Sequence, residues 1–225
     1  MAVKSVRPTP AAPSSVKQRI LDVAEALAQK RGFNGFSYAD IAEKLLVTKA
    51  SLHYHFSSKA ELGRALIDRY HIVFGAALER IDQETDDARE KLRRYVALYD
   101  SVMRNDRMCL CGMLAAEFAT LPRPMQDALR VFFDANEVWL AAVLEQGSND
   151  GTLAFRGSAK QRACMILGAL EGAMLVARAY GDGPRFLAAA EHVLDDLGAE
   201  PGDGAGPNGR PSRARRAVAA GSSRR

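Results

Sequence analysis

The chain has 225 residues, 48% of them hydrophobic and 26% charged, with a formal net charge of +4 and three cysteines. This length is enough for a small module and a larger helical core. Three cysteines are too few for a disulfide scaffold. The most apolar run, 163–177, is interrupted by Glu171 and is shorter than the roughly 20 residues that span a bilayer. The N-terminus lacks the apolar core of a signal peptide, so we predict a cytoplasmic protein with no membrane partner.

The charge is divided unevenly along the chain. Residues 1–60 hold nine Lys and Arg against four Asp and Glu, residues 61–197 hold sixteen against twenty-one, and residues 198–225 hold six against two. If the charged residues served only to keep the protein soluble, their number would be explained, but not the separation of positive and negative charge along the chain. The positive N-terminal segment therefore indicates a surface that faces a polyanion.

The first structured element is predicted to begin after residue 14. Residues 1–14 are rich in Pro, Ala and Ser, which predicts a disordered basic arm, either an extra phosphate contact or a terminus without a role. Ser14 or Ser15 can cap a first helix whose apolar residues recur at helical spacing until Gly32.

Two short helices separated by a turn follow, between Ser37 and Phe56. Ser37 and Asp40 have the spacing of a capping box, and Thr48 is placed to cap a second helix, Lys49 to about His55. A helix of two turns does not hold alone, so it must be carried by its neighbours and used for its outer face. Helix, turn, helix is the geometry that lays a second helix into the major groove of DNA.

A long fourth helix is predicted directly behind this pair. Ser58 and Glu61 have the spacing of another capping box, and apolar residues continue to Ile81. This helix would fix the short one from behind and connect it to the rest of the chain.

A wider pattern in this segment consists of Gly32, Phe36-Ser37, Ile41-Ala42, Val47, Lys49–Phe56 and Lys59–Leu62. This pattern resembles the DNA-binding domain of TetR-family transcriptional regulators. It covers residues 15–65 by motif and the remainder by length and helical layout. One departure is Leu46, where the family usually has the glycine that suits positive φ. Leu46 either costs about 1 kcal/mol there or belongs to a slightly different turn.

DNA contacts are predicted from two sets of residues. The set for phosphates is Lys17, the backbone at Ser37, His53, Tyr54 and Lys59. The set for base edges, at the start of the short helix, is Thr48, Lys49, Ala50 and Ser51. The resemblance implies the same groove-facing positions. A metal site at His53 and His55 is disfavoured, because residues two apart on a helix point to different faces.

Five further helices are predicted behind the fourth. The fifth ends before Asn105-Asp106, the sixth covers 109–121, the seventh covers 125–146 and stops at Gly147, and the eighth and ninth cover 158–180 and 184–197. No strand alternation occurs. We therefore predict an all-α protein of about nine helices, with a three-helix helix-turn-helix module at 15–60, a larger helical domain at 61–197 and a disordered basic tail at 198–225.

The eighth and ninth helices are the candidates for a homodimer surface. Two glycines four residues apart in a helix each cost about 1 kcal/mol, which indicates that another backbone comes close. The family resemblance implies the same dimer, which would read a palindromic operator on double-stranded DNA. The predicted interface residues are Gly168, Gly172, Leu175 and Val193.

The larger domain is predicted to bind an unidentified small-molecule effector. The candidate pocket residues are Tyr95, Tyr99, Met103, Cys109, Phe118, Phe133, Trp139 and Glu171, with ordinary core packing as the alternative for each. Occupation would tilt the fourth helix and separate the recognition helices from their half-sites. The chain is thus predicted to be a ligand-released repressor, with activation left open, and not an enzyme. No nucleophile-base set or phosphate loop is present, and no cofactor is expected.

Cys109 and Cys111 offer an alternative kind of sensor. They lie near the predicted start of the sixth helix and beside Arg107, and a helix N-terminus and a cation can both lower the pKa of a thiol. The resemblance includes relatives that sense electrophiles or oxidants with a cysteine near this point. The alternative is that both cysteines are small buried hydrophobic residues.

Overall fold

The computed structural model describes residues 15–198, and over this range the chain is helical and contains no strand. The helices are α1 Val16–Arg31, α2 Tyr38–Leu45, α3 Lys49–His55, α4 Lys59–Glu84, α5 Ala88–Met103, α6 Leu110–Ala116, α7 Arg123–Asn149, α8 Ala159–Tyr180 and α9 Gly183–Asp195, with a 3-10 turn at Phe118–Thr120. The predicted all-α class with about nine helices is confirmed for this range. The predicted arm at 1–14 and the predicted tail, beyond Gly198, lie outside the described residues.

The predicted helix starts are confirmed by their caps. A side-chain oxygen accepts a backbone N–H bond at Ser15 from Gln18, at Ser37 from Ala39, at Thr48 from Ser51 and at Ser158 from Gln161. At the start of α4 only half of the predicted capping box is correct. Ser58 accepts from the Glu61 N–H, but the Glu61 carboxylate accepts from the backbone and hydroxyl of Ser57 instead.

Two predicted helix ends are wrong. The sixth helix does not reach residue 121, because the α-helix ends at Ala116 and Glu117 leaves helical geometry at φ −101 and ψ 11. The seventh does not stop at Gly147 but continues to Asn149. Gly147 is needed for packing, since a Cβ there would lie 2.8 Å from the Cβ of Ala88 and still closer to Leu153. A glycine inside a helix therefore marked a close contact and not a terminus.

Helix α4 joins the two parts of the fold. Its first half buries Leu62 and Leu66 and its second half buries Leu78 and Ile81, and along its length α4 packs against α1, α5, α6 and α7. Helices α7, α8 and α9 pack against one another to form the far side of the larger domain. The buried apolar residues make one cluster through both parts, so a displacement of α4 is felt at both ends.

Candidate nucleic-acid interface

The outer face of α3 is an exposed, largely polar surface of the N-terminal module. Leu52 and Phe56 are buried and hold the helix against the module. Lys49, Ala50, His53 and Tyr54 are exposed, and Tyr54 is 87% exposed despite its ring. Lys49 and His53, like Ala50 and Tyr54, are four residues apart and therefore lie side by side on the helix surface. This short helix thus presents a continuous hydrogen-bonding and cationic face.

The end of α3 is held by a buried hydrogen bond from α2. The Tyr38 hydroxyl donates to the Phe56 carbonyl oxygen at 2.9 Å. Burial, with the Glu61 carboxylate nearby, raises the pKa of Tyr38 to about 12, so the hydroxyl remains a donor at physiological pH. This bond satisfies a carbonyl that the helix cannot satisfy itself and sets the angle between the two helices.

The predicted DNA-binding residues of α3 come together on one side of the module. Thr48 is the N-cap, with its Oγ1 3.2 Å from the Ser51 nitrogen. The ring of His53 packs against Tyr38 at 4.7 Å between centroids. Lys17, from the start of α1, places its ammonium 5.3 Å from the centre of the Phe56 ring. Lys17 therefore extends the cationic surface beyond α3.

Two of the predicted phosphate contacts have internal partners instead. The Ser37 N–H donates to Asp40 Oδ2 at 2.8 Å as part of the capping box. The Lys59 ammonium donates to the carbonyl oxygens of Phe33 and Phe36 and lies over both rings. Burial lowers the pKa of Lys59, opposed by the Glu117 and Asp40 carboxylates. We therefore assign Lys59 a structural task in closing the loop between α1 and α2.

The same loop is also held by the larger domain. The Glu117 carboxylate accepts hydrogen bonds from the backbone N–H groups of Phe33 at 2.5 Å and Asn34 at 3.2 Å. The Asn34 amide donates to the Thr120 hydroxyl at 2.8 Å. From α8, the Arg178 guanidinium donates to the carbonyl oxygens of Gln29 and Lys30 at the end of α1. These contacts attach the module to α6 and α8.

Neither Glu117 nor Arg178 was predicted to make these contacts. In the sequence, Glu117 is one of the polar residues mixed in with the aliphatics, inside the predicted sixth helix, and Arg178 is a basic residue near the end of the predicted eighth. Both bind backbone atoms far away in sequence, and a backbone atom carries no residue-specific signal.

Four of the eight predicted pocket residues form a buried polar network. The Tyr95 hydroxyl donates to Asn136 Oδ1 at 3.0 Å and lies 3.3 Å from the Tyr99 hydroxyl, which donates to Glu171 Oε1 at 3.3 Å. Cys109 hydrogen-bonds with Glu171, and burial raises the pKa of the Glu171 carboxyl despite these bonds. Tyr95, Tyr99 and Cys109 are buried members of this network, and Glu171 is partly buried.

The other four predicted pocket residues are dispersed. The Trp139 ring stacks on Tyr95 at 5.5 Å, but its N–H donates to Asp82 at the surface. Phe133 packs edge-on against Phe132, and Phe118 lies under the Arg130 guanidinium. Met103 lines a small cleft beside Arg178. The structure therefore does not bring all eight to one cavity.

The structure does not support activation of Cys109 and Cys111, which was the alternative interpretation of these residues. Both thiols are buried, and burial raises the pKa of each well above its ordinary value, with the Glu171 carboxylate acting in the same direction. The Tyr70 hydroxyl donates to the Cys109 sulfur at 3.8 Å. A neutral, enclosed thiol is a poor nucleophile, so the geometry favours the core-packing interpretation.

Helix α8 carries an exposed apolar face. A Cβ at Gly168 or Gly172 would meet no atom within 4 Å, and Leu175, Val176 and Met165 are each more than two-fifths exposed. Among the predicted interface residues only Val193, on α9, packs partly against the core of its own chain.

In the described part of the chain, α8 alone is long and apolar enough, by length and composition, to cross a membrane, and 33% of its most apolar window is buried. The apolar run in the sequence had suggested a shorter stretch.

Two family models match the chain. The one described as "Bacterial regulatory proteins, tetR family" covers residues 20–66, and the one described as "Tetracyclin repressor-like, C-terminal domain" covers residues 88–193. The first match ends within α4 and the second begins at the start of α5, so residues 67–87, most of α4, lie between them.

Solved structures match over nearly their whole length. A TetR-family transcriptional regulator from Agrobacterium tumefaciens is 34% identical with a TM-score of 0.79, covering 81% of this chain and 97% of that one. A TetR transcriptional regulator from Legionella pneumophila is 35% identical with a TM-score of 0.74, covering 82% and 98%. Both agree with this chain in the larger domain as well as in the N-terminal module.

Curated relatives match over a shorter segment. The HTH-type transcriptional regulator TtgR of Pseudomonas putida is 39% identical over 66 residues, 29% of this chain and 31% of that protein. The biofilm operon icaADBC HTH-type negative transcriptional regulator IcaR of Staphylococcus epidermidis is 34% identical over 53 residues, 24% of this chain and 29% of that protein. The matched segment thus spans about a third of the length of these relatives.

Proposed function

The chain belongs to the TetR family of bacterial transcriptional regulators and is a DNA-binding protein, and we propose that it acts as a homodimeric repressor that a small molecule releases from a palindromic operator. The observation that carries the DNA-binding half is the exposed face of α3, where Lys49, Ala50, His53 and Tyr54 are displayed over a buried Leu52 and Phe56. The exposed side chains of Lys49, Ala50 and Tyr54 are not used to pack the module. They form the surface that enters the major groove.

Within this face, the two kinds of contact are divided along the helix. Thr48, Lys49, Ala50 and Ser51 stand at its N-terminal end, which reaches base edges in this geometry. The Lys49 ammonium can donate to guanine O6 or N7, and the Ala50 methyl can meet the methyl of thymine. Tyr54, His53 and Lys17 lie further along the surface, where phosphate contacts position the module without reading sequence.

The dimer is proposed to form through α8, with α9 beside it. The exposed face of α8 is apolar, and its two glycines leave open space that a second backbone can approach closely. Burying Leu175 and Val176 against a second copy would remove apolar surface from water, which favours association. Two copies would then present two α3 helices to half-sites about 34 Å apart. The protein acts where the chromosome lies, in the cytoplasm.

Repression and release are proposed from the coupling between the two parts. IcaR is named a negative regulator, and the loop between α1 and α2 is held by Glu117 and Lys59 in this structure. An effector that shifts α6 or α4 would displace this loop and with it the position of α3. The half-sites would then no longer be matched by both protomers.

The test is selection of an operator from a library of random duplexes with the full-length protein, followed by titration at several salt concentrations. The expected result is a palindromic consensus, bound by two protomers with an affinity that falls steeply with salt. A lack of sequence enrichment, or binding that is insensitive to salt, would show that the α3 face does not read DNA. Fusion of the selected operator to a reporter distinguishes repression from activation.

A further inference from the structure

A groove of the size of a small-molecule site lies outside the predicted pocket. It has a volume of about 570 Å³ and runs between α1, α4 and the end of α5, and none of the eight predicted pocket residues lines it. This volume falls in the range of small-molecule sites. Its walls are mostly apolar, with Val73, Phe74 and Ala77 from α4 and Leu98 and Val102 from α5.

Two residues that line this groove each have a polar side-chain atom that is buried without a partner among the described residues. The atoms are Oε1 of Gln29, a side chain only 3% exposed, and Nε of Arg107. An unpaired buried acceptor and an unpaired buried donor each cost free energy, and native proteins rarely leave them unmatched. Both atoms lie behind the groove surface, and a rotation of either side chain would bring its atom to a bound molecule with a complementary donor or acceptor.

The charged residues that line the groove indicate the charge of the molecule that binds there. Arg80 and Arg107 line it, and neither forms an ion pair with the residues that the structure describes. The one acidic residue in the lining, Glu25, is already paired with Arg69 at 2.5 Å. The unpaired charges of the groove lining are therefore positive, and a carboxylate is the group that accepts a charge-assisted bond from an arginine.

We propose that the groove between α1, α4 and α5 binds an apolar hydroxy acid, with its carboxylate at Arg107, its hydroxyl donating to Gln29 Oε1 and its hydrocarbon body against Val73 and Phe74. This inference rests on the proposed function, because it assigns the site and the chemical class of the effector.

The position of the groove gives its occupant access to both parts of the fold. Gln29 belongs to α1, and its backbone carbonyl accepts bonds from the Met108 N–H at 3.2 Å and from Arg178. Arg107 directly precedes Met108. A ligand held by the side chains of Gln29 and Arg107 therefore lies across the attachment of the DNA-binding module to the larger domain, and its binding changes the energy of that attachment.

The test is calorimetric titration of the full-length protein with 3-(4-hydroxyphenyl)propionate as the probe. Two matched compounds are compared: 3-(4-hydroxyphenyl)propylamine, which reverses the charge of the head, and 3-phenylpropionate, which lacks the hydroxyl. We expect one site per chain and at least tenfold weaker binding of each matched compound. No saturable binding of the probe, or equal binding of either matched compound, would overturn the assignment.

Variants locate the site. Arg107→Gln removes the cation, and Val73→Trp fills the groove from an exposed position on α4 that the core does not use. Each is expected to weaken probe binding at least tenfold. Arg93→Gln is the control, since Arg93 is an exposed arginine that lines a separate cleft between α5 and α9. Wild-type affinity in Arg107→Gln or in Val73→Trp contradicts the proposal.

The effector role has its own readout. Saturating probe should weaken binding to the selected operator at least fivefold in the wild-type protein and not in Arg107→Gln. Binding to the groove without any effect on the operator would overturn the effector assignment. Because the calorimetry contains no DNA, a failure of the groove and a failure of operator binding are seen in different experiments.

Discussion

The Glu117 carboxylate accepts a hydrogen bond of 2.5 Å from the backbone N–H of Phe33, which lies 84 positions earlier in the sequence. The same carboxylate accepts the Asn34 N–H, so one side chain at the end of α6 binds the loop that begins the helix-turn-helix. Glu117→Ala leaves two backbone N–H groups without this acceptor. We expect the free energy of unfolding to fall by about 2 kcal/mol, because bonds to a charged group contribute about 1.5–3 kcal/mol. Urea denaturation measures the change.

Glu79→Ala is the matched control for that change. Glu79 is an exposed acidic residue on α4 that makes no ion pair within 15–198, so its loss should alter stability by less than about 0.5 kcal/mol. The coupling also predicts that Glu117→Ala weakens the response of operator binding to an effector. A variant with wild-type stability and wild-type response would show that Glu117 does not attach the module.

Lys49 and Lys59 should separate DNA binding from stability. Lys49 is exposed on α3, whereas the Lys59 ammonium donates to Phe33 and Phe36. Lys49→Ala is expected to weaken operator binding by roughly 1–3 kcal/mol, the size of one good base contact, without a change in unfolding. Lys59→Ala is expected to lower the free energy of unfolding by about 1–3 kcal/mol through two unpaired carbonyl groups.

Fluorescence anisotropy on the operator and urea denaturation measure the two effects. The two variants serve as controls for each other, because both remove one positive charge from the same module. If Lys49→Ala were the destabilised variant, or if Lys59→Ala weakened DNA binding at unchanged stability, the assignment of the two lysines would be reversed.

Local sequence signals predicted the local structure well. The caps at Ser15, Ser37, Thr48 and Ser158 depend on residues within four positions, and each was confirmed. Glu117 escaped prediction because its partners are backbone groups 83 and 84 positions away. Sequence patterns report which residues prefer a helix start, but not which distant backbone approaches them.

The candidate pocket is a second feature that sequence patterns predicted only in part. Tyr95, Tyr99, Cys109 and Glu171 were predicted from their mixture of polar and aromatic character, and the structure brings them together in a packed network. Composition could not distinguish a packed polar core from an open cavity. Gln29 was not predicted for a related reason: the sequence of α1 does not show that the side-chain oxygen of this glutamine is buried without a partner.

A substitution at Gly172 tests the proposed dimer interface. A Cβ at this position meets nothing within 4 Å in the single chain, so Gly172→Leu should leave the protomer folded and block only a second copy. We expect monomers by light scattering and operator binding weaker by on the order of 100-fold, the gain that linking two sites usually provides. Gly75→Leu on α4 is the control, because its Cβ also meets open space. Dimers of unchanged affinity in Gly172→Leu would refute the interface.

Glu171 predicts how stability depends on pH. Burial raises the pKa of this carboxyl, so between the ordinary value of about 4.3 and the raised one the native state binds more protons than the unfolded chain. The free energy of unfolding therefore falls as pH rises through that window, and the full contribution is present only below it. Glu171→Gln keeps the shape of the neutral acid beside Tyr99 and Cys109 but does not titrate.

The expected result is that the free energy of unfolding of Glu171→Gln rises relative to that of the wild type from pH 5 to pH 8, because only the wild type loses stability as this carboxyl ionises. Urea denaturation at the two pH values measures this difference, and titrations common to both proteins cancel in it. A stability gap that is the same at both pH values would mean that Glu171 is not the titrating group.

Leu46 occupies the turn between α2 and α3 at φ 56 and ψ 44, in the left-handed region, with 92% of its surface exposed. The turn therefore has the positive φ that favours glycine. A left-handed L-residue costs roughly 1–2 kcal/mol, and the exposed Leu46 side chain buries too little apolar area to offset this cost. Leu46→Gly should stabilise the protein by about 0.5–1 kcal/mol, because glycine loses the strain but adds entropy to the unfolded chain. Leu46→Ala keeps the Cβ and should gain nothing, so equal stability of the two variants in urea would locate the cost elsewhere than in the backbone.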